Sequence, residues 1–116
     1  MDTEWTIVFY VSADGRHSLR NEIKQFGDSN YAKILKGAQL LADFGLAQND
    51  ERVKHVEGKL WELRVDRFRV LYFAYMDQQF IFLKAFMKKT AKTPKKEIAI
   101  AAGRMDDYIN RSKGDS

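Results

Sequence analysis

Lys59-Leu-Trp-Glu-Leu-Arg64-Val-Asp-Arg67-Phe-Arg69-Val-Leu-Tyr-Phe73 is the stretch of the chain that decides its fold. Its leucine, β-branched and aromatic residues are typical of strands, and Asp66-Arg67 stands where a two-residue turn would join two of them. A second such turn is predicted at Asp77-Gln78, before another run of the same kind. The sequence therefore predicts a meander of three antiparallel strands, at about residues 59–65, 68–76 and 79–87.

Helical patterns lie on both sides of this meander. Apolar residues recur at helical spacing from Leu19 to Phe26 and from Tyr31 to Ala42, which predicts two helices there. Thr93-Pro94 has the residue types of an N-cap and a first helical position, so a last helix is predicted to follow. A first strand at 5–11 and a polar connection at 46–58 complete the order β-α-α-β-β-β-α. This order predicts an α+β fold, with a mostly antiparallel four-stranded sheet and the helices packed on one face.

Composition excludes several classes of protein. The 116 residues are 45% hydrophobic and 31% charged, which is typical of a single folded domain spanning residues 1–116. The chain has no cysteine and only two histidines, so we expect no disulfide, no metal site and no cofactor. No apolar run reaches the ~20 residues that span a bilayer, and Met1-Asp-Thr-Glu-Trp5 lacks the pattern of a signal peptide. We therefore expect a cytoplasmic protein without a membrane partner.

The net charge of +4 is unevenly distributed along the chain. Residues 1–58 carry −2 and residues 97–116 carry −1, whereas residues 59–96 carry +7. A basic segment in an otherwise nearly neutral chain is typical of proteins that bind polyanions. Residues 88–96 taken alone are also compatible with a solvated lysine-rich loop.

The predicted strand pairing gathers charged residues on one face of the sheet. With the two turns above, Arg64 lies opposite Arg69, and Leu71 lies opposite Lys84. The other face is apolar and is expected to meet the helices. Because two directly opposed arginines repel each other, their juxtaposition indicates an anion-binding role. In the alternative interpretation, both arginines extend into water, or Arg64 pairs with Glu62.

The same charged face is predicted to carry five aromatic side chains, those of Phe73, Tyr75, Phe80, Phe82 and Phe86. Cations bind phosphates and flat rings stack on unpaired bases, so this combination predicts binding of single-stranded RNA. Two alternatives stay open, since the rings would also fill a second small core or lie under a partner protein.

Several short motifs resemble one known family, the HigB-like, phage-derived branch of the RelE/ParE toxin superfamily. The resemblance is carried by Leu60-Trp-Glu-Leu-Arg64, Arg69-Val-Leu-Tyr-Phe73 and above all Phe86-Met-Lys-Lys-Thr-Ala-Lys-Thr-Pro94, with Glu97-Ile98 and Asp107-Tyr108. It extends over nearly the whole chain and includes Val8-Phe-Tyr10, Asp14-Gly-Arg16 and the Ala-Lys-Ile-Leu of the second helix.

This resemblance implies the toxin of a type II toxin–antitoxin system. Toxins of the RelE kind are small α+β proteins that enter the ribosomal A site, with contacts to 16S rRNA, and cut the mRNA there. The expected partners are therefore mRNA on the ribosome and a cognate helix-turn-helix antitoxin. Two alternatives stay open: a ParE-like inhibitor of DNA gyrase without nuclease activity, and an inactive regulatory binding module.

The resemblance also implies a metal-free reaction, in which the 2′-hydroxyl of the RNA attacks its own phosphate. The catalytic candidates are Arg64 and Arg69 as charge stabilisers, Lys84 as the base, Tyr108 as a proton donor or a packing residue, and His55. The side chains expected to bind RNA are Lys59, Arg67, Phe86, Lys88, Lys89, Lys92, Lys95 and Lys96. Some HigB toxins have a late histidine and RelE-like proteins often have a tyrosine after the last strand. This chain has Lys88-Lys89-Thr90 there, so the identity of the general base stays open.

Overall fold

The three strands of the predicted meander form the centre of a five-stranded sheet. A computed structural model of the protein describes residues 5–45 and 51–114. The described elements are β1 (Thr6–Phe9), α1 (Leu19–Lys24), α2 (Asp28–Phe44), β2 (Val53–Glu57), β3 (Leu60–Val65), β4 (Phe68–Tyr75), β5 (Gln79–Met87) and α3 (Lys95–Gly114). The strands lie in the order β1-β5-β4-β3-β2, with β1 parallel to β5 and the other pairs antiparallel. The predicted α+β class and the mostly antiparallel sheet are confirmed.

The sheet has five strands rather than the predicted four, because residues 53–57 of the predicted polar connection form β2 at its edge. Val53 is buried and Val56 is half-buried, whereas the remaining residues are exposed: Lys54, His55 and Glu57. Charged side chains are common on edge strands, where they hinder pairing with other chains. They also interrupt the alternation of apolar residues by which a strand is recognised in sequence. Residues 46–50 of the same connection lie outside the described part of the chain.

The first turn of the meander has the predicted register. Val65 pairs with Phe68, so Asp66-Arg67 is a two-residue turn, and Asp66 has a positive φ of 52°. Aspartate tolerates this left-handed region better than most residues other than glycine. Arg64 therefore lies directly opposite Arg69, as predicted.

The second turn is one residue longer than predicted. Tyr75 pairs with Gln79, so residues 76–78 form a three-residue loop, two of which have positive φ (59° and 57°). The extra loop residue shifts the pairing of β4 with β5 by one position. The predicted pairs of this part of the hairpin are therefore wrong: Phe73 with Phe82, and Tyr75 with Phe80.

A β-bulge restores the predicted register further along the same hairpin. Tyr72 pairs with Phe82, but the next pair is Leu71 with Lys84, so Leu83 is an additional residue in β5. Because Leu83 is an additional residue, the side chains of Phe80 and Phe82 point to the face opposite to the one that carries Lys84 and Phe86. From this point to the end of β5, the pairing agrees with the prediction.

The helices cover both faces of the sheet rather than one. On one face α2 approaches β3, and a Cβ atom added at Gly37 would lie 2.7 Å from the Cγ2 atom of Val65. Tyr75 lies seven residues along β4 from Phe68, the partner of Val65, so it points to the opposite face. There the ring of Tyr108 in α3 lies 5.6 Å from the Tyr75 ring. The part of the sheet under α3 is apolar, and its residues Leu71, Phe73 and Ile81 are completely buried.

The bulge and α3 together bury the aromatic side chains that were predicted to lie exposed on the charged face. Phe80 and Phe82 point to the α2 side. There the ring centroid of Phe80 lies 4.2 Å from that of Trp5, and the ring centroid of Phe82 lies 5.5 Å from that of Phe9. Two of the remaining rings lie under α3, and Phe86 is 7% exposed. The aromatic residues thus fill cores on both faces, which agrees with the alternative of a second core and makes the stacking hypothesis wrong.

The helices begin close to their predicted positions. The Ser18 hydroxyl accepts the Asn21 N–H at the start of α1, at 3.3 Å. At α3, the Pro94 carbonyl accepts the N–H groups of Glu97 and Ile98 at 3.1 and 3.2 Å. The prediction that Thr93 is the N-cap is therefore wrong. Within residues 5–45 and 51–114, no helix is long and apolar enough to cross a membrane.

Gly37→Ala should destabilise the protein, whereas Gly103→Ala should stabilise it. Both glycines lie inside helices, where alanine gains ~1 kcal/mol of helix propensity. At position 37 the new methyl group would overlap Val65, whose branched side chain has little freedom, whereas no atom of the described residues lies within 4 Å of it at position 103. Urea unfolding should show a loss of ~1–2 kcal/mol for Gly37→Ala. Equal gains for both variants would contradict the close approach of α2 to β3.

Candidate active site

A shallow concavity, of about 250 Å³ when the solvent-open space at its mouth is included, lies at the end of the sheet where β2, β3, β4 and β5 meet the loop before α3. We call it the arginine pocket. Its lining residues are Lys54, Glu62, Arg64, Arg69, Phe86, Lys88, Thr90, Ala91, Lys92 and Thr93. The pocket therefore brings together the central pair of predicted catalytic arginines and three of the residues predicted to bind RNA.

Strand pairing explains why these side chains share one face. Arg64 and Arg69 are directly opposed on β3 and β4, and Lys54 on β2 is opposed to Glu62 on β3. Glu62 and Arg64 are two residues apart on one strand, so they point the same way. Phe86 on β5 is opposed to Arg69, so Arg64, Arg69 and Phe86 form one row across three strands, and Lys54 and Glu62 lie in the neighbouring row. The pocket thus follows from the register of the meander and of its edge strand.

Glu62 is the acidic group at the bottom of the pocket and is only 4% exposed. Its Oε2 atom lies 3.6 Å from the Nε atom of Arg64 and 3.8 Å from the Nε atom of Arg69. Its Oε1 atom accepts a hydrogen bond of 2.6 Å from the Thr93 hydroxyl. The carboxylate offsets the repulsion between the two guanidinium groups, so the Arg64–Glu62 pairing considered above exists together with the arginine pair.

The two arginines differ in freedom. Arg69 is 8% exposed, and its Nη1 atom donates to the carbonyl oxygens of Asp66 at 2.9 Å and Phe68 at 2.8 Å. Burial lowers the pKa of Arg69, the charge of Glu62 raises it and Arg64 lowers it, with a net decrease. A guanidinium group stays protonated at neutral pH nonetheless. The Arg64 side chain is 38% exposed.

The rim of the pocket is formed by exposed lysines. Lys88 and Lys92 come from the loop between β5 and α3, and Lys54 comes from β2. The Lys88 N–H donates to the Arg67 carbonyl at 2.6 Å, and the Thr90 hydroxyl donates to the Lys92 carbonyl at 2.9 Å. With the two arginines, five cationic side chains surround one carboxylate. Such a site can hold one or more phosphate groups.

Lys84 lies outside the arginine pocket, in a neighbouring groove beside α1 and α3. Its Nζ atom is 3.9 Å from a carboxylate oxygen of Glu22 and 3.9 Å from one of Glu97. Phe86 and Thr90 line both concavities. The structure therefore does not bring Lys84 together with the arginines, because two acidic partners hold it on the other side of the Phe86 ring.

The carboxylate of Glu22 is held in place by an arginine of α3. Arg104 in α3 donates two hydrogen bonds to this carboxylate, at 3.0 and 2.7 Å, and one to the Leu83 carbonyl at 2.8 Å. Burial raises the pKa of Glu22, but the hydrogen bonds and charge of Arg104 and the charge of Lys84 outweigh it, so the pKa is lowered. This network ties α1 and α3 to the bulged part of β5.

Tyr108 and His55 also lie outside the pocket. The Tyr108 ring packs on Tyr75 at the far end of β4, which is six residues or roughly 20 Å from Arg69. His55 is paired with Trp61, and its Nε2 atom lies 2.8 Å from the Gly58 carbonyl oxygen. Since neighbouring residues in a strand point to opposite faces, His55 points away from the face that carries Lys54.

The other residues predicted to bind RNA are spread around the pocket. Arg67 lines a separate concavity with Lys33 and Asp66, and Lys89 lines the groove of Lys84. The remaining three are exposed outside it: Lys59 in the β2–β3 turn, and Lys95 and Lys96 in the first turn of α3. Lys54, Thr90 and Thr93 were missed as pocket residues. Lys54 was missed because its segment was predicted to be a polar connection rather than a strand. Thr93 was missed because its sequence pattern is that of an N-cap.

Residues 21–106 match the family described as phage-derived protein Gp49-like (DUF891). The chain belongs to this family. It is a family of toxin–antitoxin toxins related to the RelE and ParE types, so the predicted resemblance is confirmed at that level and an antitoxin is the implied partner. No curated protein matches the chain. The matched residues include every residue that lines the arginine pocket.

Arg104→Gln should destabilise this Gp49-like protein at neutral pH more than in acid. The lowered pKa of Glu22 stabilises the folded state fully above the usual carboxyl pKa of about 4.3, and this part is lost as the pH falls through the lowered value. Urea unfolding should show a loss of about 2 kcal/mol at pH 7 and a smaller loss near pH 3. Lys33→Gln, which removes an exposed ion pair with Asp66, should have little effect at either pH. A loss for Arg104→Gln that is independent of pH would contradict the role of Glu22.

Proposed function

We propose that this Gp49-like protein is the toxin of a HigB-like type II toxin–antitoxin system and cuts mRNA on the translating ribosome. The observation that supports the proposal is the arginine pocket, in which Arg64 and Arg69 are held side by side within a ring of lysines. The scissile phosphate would bind between the two guanidinium groups. A cognate helix-turn-helix antitoxin would keep the toxin inactive in the cytoplasm.

The two arginines would act on the charge of the transition state. When the 2′-hydroxyl attacks the phosphorus, negative charge accumulates on the non-bridging oxygens of a phosphorane. Guanidinium groups present a planar fork of donors that matches two such oxygens, and their charge does not change during the reaction. Arg69 is fixed by two backbone carbonyls before any substrate binds, so its charge would be preorganised. Arg64 would close on the phosphate from the open side.

Positioning would supply much of the rate. In-line attack needs the 2′-oxygen, the phosphorus and the leaving 5′-oxygen nearly aligned, and holding that arrangement is a large part of such a barrier. The pocket is too small to enclose several nucleotides, so the ribosome would fix the mRNA while the toxin supplies the charges. Lys54, Lys88 and Lys92 would hold the phosphates on either side of the cleaved bond. This division of labour supports dependence on the ribosome.

Arg64→Ala should abolish toxicity without unfolding the protein. The Arg64 side chain is partly exposed, so its loss removes charge from the pocket and little packing. We expect mRNA cleavage in a translating extract to fall ~100-fold, with a matching release of growth arrest. Arg16→Ala removes an exposed arginine in the loop before α1 and serves as the control, with full activity expected. Persistent toxicity of folded Arg64→Ala, or gyrase inhibition without mRNA cleavage, would contradict the proposed nuclease.

His55→Gln and Tyr108→Phe should both cut mRNA at the wild-type rate. Neither side chain lines the pocket, and the hydroxyl of Tyr108 makes a long contact of 3.5 Å with the Gln79 side chain. The same extract assay, run from pH 6 to pH 9, measures the two variants beside the wild type. A fall of more than tenfold in either folded variant would place the proton-transfer group outside the arginine pocket.

A further inference from the structure

Glu62 differs from the other groups of the arginine pocket because each of its two oxygens has a separate task. Oε2 faces the Nε atoms of Arg64 and Arg69, whereas Oε1 accepts the hydrogen bond of Thr93. The side chain is almost completely buried. A buried carboxylate is costly unless it is paired, and here the pairing involves three elements of the structure at once.

The first task concerns the spacing of the two arginines. Arg69 has two backbone acceptors besides Glu62, so its position does not depend on the carboxylate alone. Among the described residues Arg64 has no such anchor: its Nε atom is buried, makes no hydrogen bond to them and has Glu62 as its ion-pair partner. Without the negative charge, repulsion from Arg69 would drive the Arg64 head group toward solvent. Glu62 therefore sets the position of Arg64 relative to Arg69.

The second task concerns the loop between β5 and α3. Thr93 is the last pocket residue of this loop, which also carries Lys88 and Lys92. The bond of 2.6 Å from the Thr93 hydroxyl joins the end of the loop to β3, thirty-one residues earlier in the chain. The Lys88 N–H, which donates to the Arg67 carbonyl, holds the start of the loop, and the bond from Thr93 to Glu62 holds its end, where Lys92 lies.

We propose that Glu62 is a positioning residue, which holds Arg64 beside Arg69 through Oε2 and seats the lysine loop through Thr93 and Oε1. The inference rests on the proposed nuclease function and assigns the parts of its site. In this inference Glu62 is not the general base, because its Oε1 atom accepts the Thr93 hydroxyl and its Oε2 atom lies beside both guanidinium groups. It acts on bound RNA only through the arginines and the loop.

Two variants separate the two tasks. Glu62→Gln keeps an oxygen that can accept from Thr93 but removes the charge that holds Arg64. We expect kcat for mRNA on programmed ribosomes to fall ~100-fold, while KM stays equal or decreases because the pocket becomes more positive. Thr93→Val keeps the shape of the side chain and removes its hydroxyl, so KM should rise severalfold with a smaller effect on kcat. Thr93→Ser should rescue KM, and Glu57→Gln on the exposed edge strand is the charge-matched control.

The pH profile separates positioning from proton transfer. If Glu62 positions the arginines, Glu62→Gln lowers kcat by the same factor from pH 5 to pH 9 and the profile keeps its shape. If Glu62 were the general base, the variant would lose the acid limb of the profile, which would overturn the inference. An unchanged kcat in Glu62→Gln would overturn it as well.

A spectroscopic measurement tests the positioning without any cleavage. In heteronuclear NMR spectra, the Nε–Hε signals of Arg64 and Arg69 should both shift in Glu62→Gln, and the Arg64 signal should move toward that of a solvated arginine. Unshifted signals in the folded variant would overturn the positioning role. If the wild-type protein cuts no RNA, the proposed function fails, and this measurement still decides whether Glu62 holds the arginines.

Discussion

The two-residue turn at Asp66-Arg67 is the constraint on which the rest of the structure depends. It sets the register of β3 and β4 and so places Arg64 opposite Arg69. Because strand side chains alternate, the same register puts Glu62 on the face of the arginines and Leu63 on the opposite face. A slip of β3 by one residue would turn Arg64 and Glu62 toward the α2 core. The core on the α2 side and the pocket on the other side therefore depend on the same turn.

The bulge at Leu83 separates a packing region from a charged region within one hairpin. On the loop side of the bulge, aromatic rings enter cores that α2 and α3 cover. On the other side, Phe86 is the ring that borders the arginine pocket. Arg104, which is paired with Glu22, donates a hydrogen bond to the Leu83 carbonyl and so provides a partner for the backbone at this irregular position. An irregular strand thus lets one sheet serve both stability and anion binding.

The arginine pocket combines two opposing electrostatic demands. A site for phosphate needs several cations close together, but such cations destabilise a folded protein unless something offsets them. One buried carboxylate offsets the repulsion at the bottom of the pocket, whereas the lysines at the rim are exposed and solvated. The pocket keeps an excess of positive charge as a result. This agrees with a polyanion as the proposed substrate of this Gp49-like protein.

Much of the fold was predictable because it depends on local patterns. Apolar periodicity located α2, the residues around Asp66-Arg67 specified a tight turn, and the arginine pair followed from that turn. The edge strand β2 was not predictable, since its exposed charged residues conceal the alternation of a strand. The extra loop residue before Gln79 and the bulge at Leu83 were also missed, because each alters pairing by one position and no residue type marks either of them.

The sequence by itself determined the fold class, the basic middle segment and the opposed arginines, because these depend on neighbours in the chain or on one hairpin. Only the tertiary structure decided which of the basic residues share a site. Lys84 is drawn away by carboxylates of α1 and α3, whereas Lys54 and Thr93 arrive from elements distant in sequence. The physical reason is that charge–charge contacts between distant segments follow packing, and α3 lies on a face that local patterns do not specify.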